Sequence, residues 1–580
     1  MPGFVGCYNS KQSLSHISFN KRENLNEHDI ENKFLSIKQL TVNKFDKDKV
    51  FLDNDLYTIV IEGVILNSLA LQDEFKAQNF AETTVNMYEE KGDEFFTEFR
   101  GSFSGCLLNK SDNSLIIFTD HIGSKQVFYS YLPSEMFLFG SEIDFLIKVF
   151  EEENHSYTLN KNSSYALLTY GFLIENNTMF NEVEKLVAGH YIKITDSKVE
   201  VKQYHQIDNT PNKNQSEAEI IEKLDMLFRQ AVTRAFEKDR EYGYKHLVAL
   251  SGGLDSRMTN CVAHDLGYGS NIINFTFSES DYLDETIPKK IARDLKHEWI
   301  FKALDNGSFL KNIDKITEIS AGGALYYGLA HGKSCLDLLN RNCFGLVHSG
   351  QLGDVVIGTY FSEKTHKIQF NKSSGAYSTV LKGRFNDQSI PEHYSNEEIF
   401  KFYTRGFSGI NQGLLISQEF SETYSPFYDL EFMEFCLSIP VELRFGHNIY
   451  KKWILMKYPD AAKYVWEKTG SKISEKTVTL FGRALPISKA PKIITNYLLR
   501  KLGVSNSSLN TRKHMNPLDY WYNTNQDLKT YLDDYFKINI KLLAFDQELQ
   551  ADCIDLYENH TSIEKNQVLT LLGVVKRYFK

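Results

Sequence analysis

The chain has 580 residues, 42% of them hydrophobic and 24% charged, with a formal net charge of -10. That is the balance of a soluble globular protein, long enough for two to four domains at ~100–200 residues each. The acidic sign argues against nucleic acid as a partner, because such proteins carry a basic face. It leaves room for phosphate ligands, which a single loop can bind whatever the global charge. No apolar run is long enough to span a bilayer, and MPGFVGCYNS lacks the basic-then-apolar order of a signal peptide. A cytoplasmic location with no membrane partner is therefore expected. The seven cysteines, scattered from Cys7 to Cys553, form no CxxC pair and read as reduced, mostly buried thiols.

In chain order, residues 1–150 read mostly as short strands between turns. Leu56 to Leu66 (LYTIVIEGVIL) is rich in branched residues and reads as a strand. Glu82 to Phe99 reads as a helix broken near Gly92. Gly105–Leu108 and Leu115–Thr119 read as paired strands around KSDNS, and Val127–Tyr131 and Met136–Phe139 as a second pair. Residues 150–215 are more polar, and 205–215 (DNTPNKNQ and its flanks) is taken as a linker. From Ser216 the pattern changes. A long helical period over Glu217–Lys238 leads to an apolar strand (His246–Leu250), a glycine turn, a helix from about Asp255 and a strand over Asn271–Phe277. Alternating strand and helix implies a parallel sheet covered on both faces. Residues 365–580 read as mostly helical.

The sharpest local signal is HLVALSGGLDSRM, His246 to Met258. An apolar strand runs into Ser251-Gly252-Gly253-Leu254-Asp255-Ser256, and a helix follows. Two glycines let backbone N–H groups approach an anion, the serine hydroxyls add donors, and the helix N-terminus favours negative charge. Asp255 would repel phosphate alone, but beside a magnesium ion it becomes a ligand. The bland alternative, a glycine turn with a serine cap, does not require all six residues after a buried strand. No GK[ST] follows, so the loop is not of the Walker type.

This loop resembles the pyrophosphate loop of the N-type ATP pyrophosphatases, which cleave ATP to AMP and pyrophosphate. Further residues narrow the resemblance to asparagine synthetases and their relatives. Asp284-Glu285 with Ala292 resembles the family's DE…A element, and Ser349-Gly350-Gln351-Leu352-Gly353-Asp354 stands where the family has an SGEGADE-like loop. Pro426–Asp429 and Leu437–Pro440 resemble PFLD…SLP, and Trp466–Gly470 resembles RxKxG. In the first half, Tyr88…Gly92 with Phe99–Phe103, Asp120–Lys125 with Phe128-Tyr129, and Phe139–Ile143 resemble YxxxG…LxGxF, RDxxGxKPLYY and xxSE. These matches run in one consistent order over most of the chain.

The resemblance implies an α/β chain: an N-terminal Ntn-hydrolase-like α+β sandwich (1–204), the linker, and a parallel-sheet synthetase domain with a helical C-terminal part (216–580). It implies ATP held by Leu250 to Ser256, Phe277, Ser349 and Gly350, with Mg2+ on Asp255 and Asp354. It implies a catalytic Lys468, with Lys472 as the fallback, and Gln351 at the acyl-acceptor side. A homodimer is left open.

The pattern also breaks. The family's glutaminase nucleophile is a cysteine at position 2; here that position is Pro2, which has no nucleophilic side chain. The glutamine-binding NGE reads Glu62-Gly63-Val64, and no RGPD-like loop lies in residues 15–35. In the second loop the usual glutamates are Gln351 and Val355. The expectation is a ligase without its own glutaminase, as in the resembling beta-lactam synthetases and lasso-peptide macrocyclases. It would adenylate a small-molecule or peptide carboxylate and pass it to ammonia or a substrate amine. An ammonia-dependent asparagine synthetase and a dead ATP-binding scaffold stay open beside it.

Overall fold

In the computed structural model, the described residues are 2–9, 25–132, 136–195, 198–365, 375–386, 394–480, 483–486 and 511–579, with single positions at 14, 17, 488 and 495. Part of the 15–35 stretch lies outside them.

The first half is built on two six-stranded antiparallel sheets. One runs, in spatial order, through Glu184–Lys185, Phe128–Tyr131, Phe137–Gly140, Gly3–Tyr8, Leu35–Val42 and Leu25–Glu31. The other runs through Lys198–Gln203, His190–Thr195, Ser114–Thr119, Gly101–Asn109, Tyr57–Ile65 and Val50–Asp53. Alternation along each strand supplies two apolar faces. Phe4, Ile37 and Phe139 of the first sheet pack on Val60, Cys106, Ile117 and Ile192 of the second. The opposite face of the second sheet (Ile59, Ile61, Phe103, Phe118) is covered by Met87, Phe95, Phe96 and Phe99. Val5, Cys7 and Leu40 turn outward from the first sheet and join a core with Leu146, Phe150, Leu167 and Leu168. The result is a helix–sheet–sheet–helix sandwich.

The strand pairs expected around KSDNS and LPSE are antiparallel neighbours. The expected helix over Glu82–Phe99 is an α-helix, Phe80–Lys91, followed by a tighter turn, Gly92–Glu98. The break falls at Gly92, whose φ of 68° suits glycine.

Between residues 204 and 215 the chain has no regular structure. A capping box at Ser216 and Glu219 then starts the helix Glu217–Glu241. The second half centres on a five-stranded parallel sheet in the order Glu298–Ala303, Ile272–Ser278, Lys245–Ala249, Phe344–His348, Thr423–Tyr424. After Lys245–Ala249 the chain builds outward on one side for two strands. It then returns to the other side of that strand with Phe344–His348. The direction reverses there, and such a switch point leaves a crevice beyond the C-terminal strand ends.

The C-terminal part is helical over Leu518–Thr524, Gln526–Asn539, Gln547–Asn559 and Ser562–Tyr578, and the last helix packs on Lys161–Tyr170 of the first half. The stretch is not helical throughout: Val465–Trp466 pairs with Ser471–Lys472, and Thr477–Leu480 with Arg483–Pro486. No described helix is long and apolar enough to cross a membrane.

Candidate active site

The switch point brings together two segments ~100 residues apart in sequence. The turn 251–256 leaves the end of Lys245–Ala249, and the turn 349–354 leaves the end of the adjacent Phe344–His348. Glycines decide how closely they meet. A Cβ on Gly350 would sit 2.4 Å from the Ser256 nitrogen, and one on Gly353 would sit 2.7 Å from Asp255 Cγ. Only bare backbone fits against Asp255 here.

Asp255 opens the helix Asp255–Asp265. Its Oδ1 accepts from the Tyr450 hydroxyl at 2.9 Å. Burial, and then the charge of Asp354, push its carboxyl well above the usual range, while Tyr450, the Asp354 backbone N–H and the Lys468 charge pull the other way. Asp354 itself is exposed.

The turn 251–256 is pre-shaped by its own polar groups. Ser256 Oγ accepts from the Ser251 backbone N–H at 2.9 Å and lies 2.9 Å from Ser251 Oγ. The Gly252 N–H donates to Asp284 Oδ1 at 2.7 Å. Burial raises the Asp284 carboxyl to about 6, with Glu467 adding to the rise against the pull of that hydrogen bond. Ser251, Gly253 and Ser256 line the adjoining cavity, at the end of the helix that favours an anion.

Lys468 reaches the site through a clamp. The Glu467 N–H donates to the Gly252 carbonyl at 3.1 Å. The fully buried Arg257 donates to the carbonyls of Gly252 (3.1 Å) and Val465 (2.7 Å). Tyr282 and Glu467 are hydrogen-bonded side chain to side chain. The Val465–Lys472 hairpin is thereby fixed on the turn. The Lys468 ammonium lies 5.7 Å from the Trp466 ring centroid and acts on Asp255. Lys472 is exposed on the return strand of that hairpin.

A cavity of about 340 Å³ opens between the turns. Of the residues expected to hold nucleotide, Leu250, Ser251, Gly253, Asp255, Ser256, Phe277, Ser349 and Gly350 line it, as does Gln351. Gly252 and Leu254 do not: the N–H of Gly252 is taken by Asp284, and Leu254 packs into the core. Asp354 and Lys468 stand outside the lining as well. Sequence reasoning did not assign Tyr450, Arg257 or Asp284 to the site. Asp284 was visible in the DE element; Tyr450 and Arg257 carried no local signal, since their partners lie about 200 residues away.

The first half has its own polar centre. Pro2 is buried at the start of Gly3–Tyr8, and Cys7 is 1% exposed inside that strand. The buried Glu62 accepts from Gln39 (2.8 Å) and Thr41 (3.1 Å) and pairs with Lys49 at 3.1 Å. Nearby, buried Lys125 forms an ion pair with buried Glu422, the residue before the last strand of the parallel sheet. The Ser102 hydroxyl completes the junction, donating to Glu422 at 3.4 Å.

Residues 41–205 match the family described as a glutamine amidotransferase domain. Among curated proteins, the chain is 28% identical to asparagine synthetase [glutamine-hydrolyzing] 2 of Bacillus subtilis over 40% of its own length and 32% of that protein's. It is 22% identical to asparagine synthetase [glutamine-hydrolyzing] 1 of the same organism, over 46% and 42% respectively. The chain thus spans about a third to two fifths of these relatives' length. Among solved structures it is similar to a B. subtilis glutamine phosphoribosylpyrophosphate amidotransferase (10% identity, 77% of this chain, 90% of that one, TM-score 0.23). It is also similar to an Acinetobacter baumannii glutamine-dependent NAD+ synthetase bound to ADP (13%, 50% and 66%, TM-score 0.19). The chain is thus similar to asparagine synthetases, and within its first half residues 41–205 match a glutamine amidotransferase domain.

Proposed function

We propose that this protein is an ATP-dependent amide-forming ligase that activates a substrate carboxylate as an acyl-adenylate, releasing pyrophosphate, and draws its nitrogen from ammonia or a substrate amine. The observation that carries the reading is the meeting of turns 251–256 and 349–354 around the half-buried Asp255 at the mouth of a nucleotide-sized cavity. The similarity to asparagine synthetases supports it.

Asp255 and Asp354 offer oxygen ligands only, a set that suits a hard divalent cation. Burial and the second negative charge raise the proton affinity of Asp255, a penalty that a bound cation removes. Mg2+, when bound there, would supply charge neutralisation between these carboxylates and the phosphates. The chain's own groups do the rest. Backbone N–H groups and the Ser251 and Ser256 hydroxyls hold the phosphate chain in a fixed setting. Lys468, whose charge acts on Asp255, would offset the negative charge that grows as pyrophosphate departs. Gln351 lines the cavity, and its Oε1 is fixed by the Tyr428 hydroxyl at 2.9 Å, leaving the amide N–H groups to orient the acyl group.

The absence of a glutaminase is part of the proposal. Pro2 offers no nucleophile, Cys7 is sealed in the sandwich, and the pocket position of the glutamine-binding amide carries Glu62 locked in a hydrogen-bonded network. The test is incubation with ATP, magnesium and candidate acids, with and without ammonium or glutamine. AMP and pyrophosphate are the expected products, with no glutamate from glutamine. ADP formation would overturn the adenylating route.

A further inference from the structure

We infer that a second cavity, joined to the nucleotide cavity at Gln351 and Gly413, holds the acyl substrate, and that Arg405 binds an anionic group on that substrate remote from the reacting carboxylate. The inference rests on the ATP-dependent reading above and specifies its substrate.

The cavity has a volume of about 330 Å³. That is within the range of pockets that enclose a whole small ligand, and more than a minimal amino acid requires. Gln351 and Gly413 line both cavities, so a molecule in the second can present one end to the phosphates of the first. The walls are apolar and aromatic, chiefly Phe172, Tyr327, Tyr377 and Ile410. Among the described residues, Arg405 is the one charged residue of the lining, with no acidic side chain beside it there. No hydrogen bond or ion pair engages its guanidinium among the described residues. Arg405 stands at the exposed rim of the cavity, and its guanidinium presents a fork of donors matched to carboxylate or phosphate. The hydroxyls of Tyr327 and Tyr377 add two further donors to the lining.

The site is composite. Gly171 and Phe172 come from the first half of the chain, while Tyr327, Gln351 and Arg405 come from the second. Phe172 is bridged to Ala324 across the boundary, and Gly409 backs directly onto the Phe172 ring, where a Cβ would sit 3.0 Å away. The amidotransferase-like half therefore has a physical use apart from glutamine: it forms one wall of the acyl pocket. The substrate class that fits is a carboxylic acid with an apolar or ring-bearing body and a second negative group.

Two substitutions separate the cavity from the nucleotide site. Arg405→Gln removes the charge. Gly328→Leu fills the space, because a Cβ on Gly328 meets nothing within 4 Å and the residue lies in a helix, so the change carries no built-in clash. The probes are phenylsuccinate, glutarate and N-acetylaspartate with their monoamides, titrated calorimetrically into full-length protein loaded with magnesium and a non-cleavable α,β-methylene ATP analogue. At least one diacid should bind about tenfold or more tighter than its monoamide, as a charge-assisted contact requires. Arg405→Gln should erase that difference, and Gly328→Leu should abolish binding of the diacid, with affinity for the ATP analogue unchanged in both. Diacids and monoamides behaving alike in the wild type, bound or unbound, would overturn the proposal, as would discrimination that survives Arg405→Gln. Failure of the wild type to bind the ATP analogue at all would instead fell the ATP-dependent reading, and this one with it.

Discussion

At the residue scale the site turns on one half-buried carboxyl. Asp255 is costly to keep ionised where it sits, because burial and Asp354 both oppose its charge. Asp255→Asn keeps an acceptor for the Tyr450 hydroxyl and removes that cost. The melting temperature should therefore hold or rise, while AMP formation falls about 10²–10³-fold or more. A drop in both would mean that the residue serves the fold. Gly353→Ala tests the approach of the two turns. Its Cβ would lie 2.7 Å from Asp255 Cγ, so the turns must part. A misplacement of that order costs about 10²-fold in turnover, with a native circular dichroism spectrum expected. Lys468 and Lys472 differ by location and not by type. Lys468→Met should slow AMP formation with nucleotide affinity little changed, and Lys472→Met should leave both intact; the reverse result would move the catalytic role to Lys472.

At the element scale, the segment that carries Arg405, Phe402–Gly409, rests on Lys185, half-buried near the buried Glu175. Lys185 donates to Ser408 at 3.0 Å, and Glu175 is its opposite charge. Burial pushes Glu175 up to about 7 and Lys185 down to about 8. A raised carboxyl contributes stability that is present below its unfolded value of 4.5 and is lost as pH rises through about 7. A lowered ammonium contributes stability that is present above its unfolded value of 10.5 and is lost as pH falls through about 8. The pair therefore weighs most heavily on the fold between about pH 7 and 8. The double variant Glu175→Gln/Lys185→Met should stabilise the protein by about 1–4 kcal/mol in that window, with a smaller gain at pH 5. Thermal melts across pH would check it, and an equal shift at every pH would sink it.

At the scale of the whole molecule, buried charge joins the two halves. Lys125 and Glu422 are 3% and 6% exposed, come from opposite halves, and meet where the sandwich faces the parallel sheet. Lys238 reaches across in the same way to Asp48 at 3.0 Å. Glu422→Leu alone strands a buried ammonium and should cost about 3–5 kcal/mol, whereas Lys125→Met/Glu422→Leu should be nearly neutral. Denaturant titration of the three proteins distinguishes this from a loosely docked pair of domains, for which the single change would be mild and the halves would unfold separately.

Much was legible before any coordinates. The Tyr57–Ile65 strand, the two hairpins after it and the break at Gly92 follow from branched runs and turn residues, which act over a few positions. So does the turn 251–256, because a strand, two glycines and a helix start are consecutive in the chain. The strands Leu25–Glu31, Glu298–Ala303 and Thr423–Tyr424 were not legible: they are polar, or too short to show a period. What the sequence by itself determined is the chemistry available: a phosphate-ready turn, two aspartates, a lysine, and a second position without a nucleophile. Only the tertiary structure decided which of these meet. The reversal of strand order sets turn 349–354 against Asp255, Arg257 ties the hairpin that carries Lys468 to turn 251–256, and the two halves together line a cavity with Arg405 at its rim. Those outcomes depend on contacts between segments far apart along the chain, and local sequence pattern carries no record of such distances.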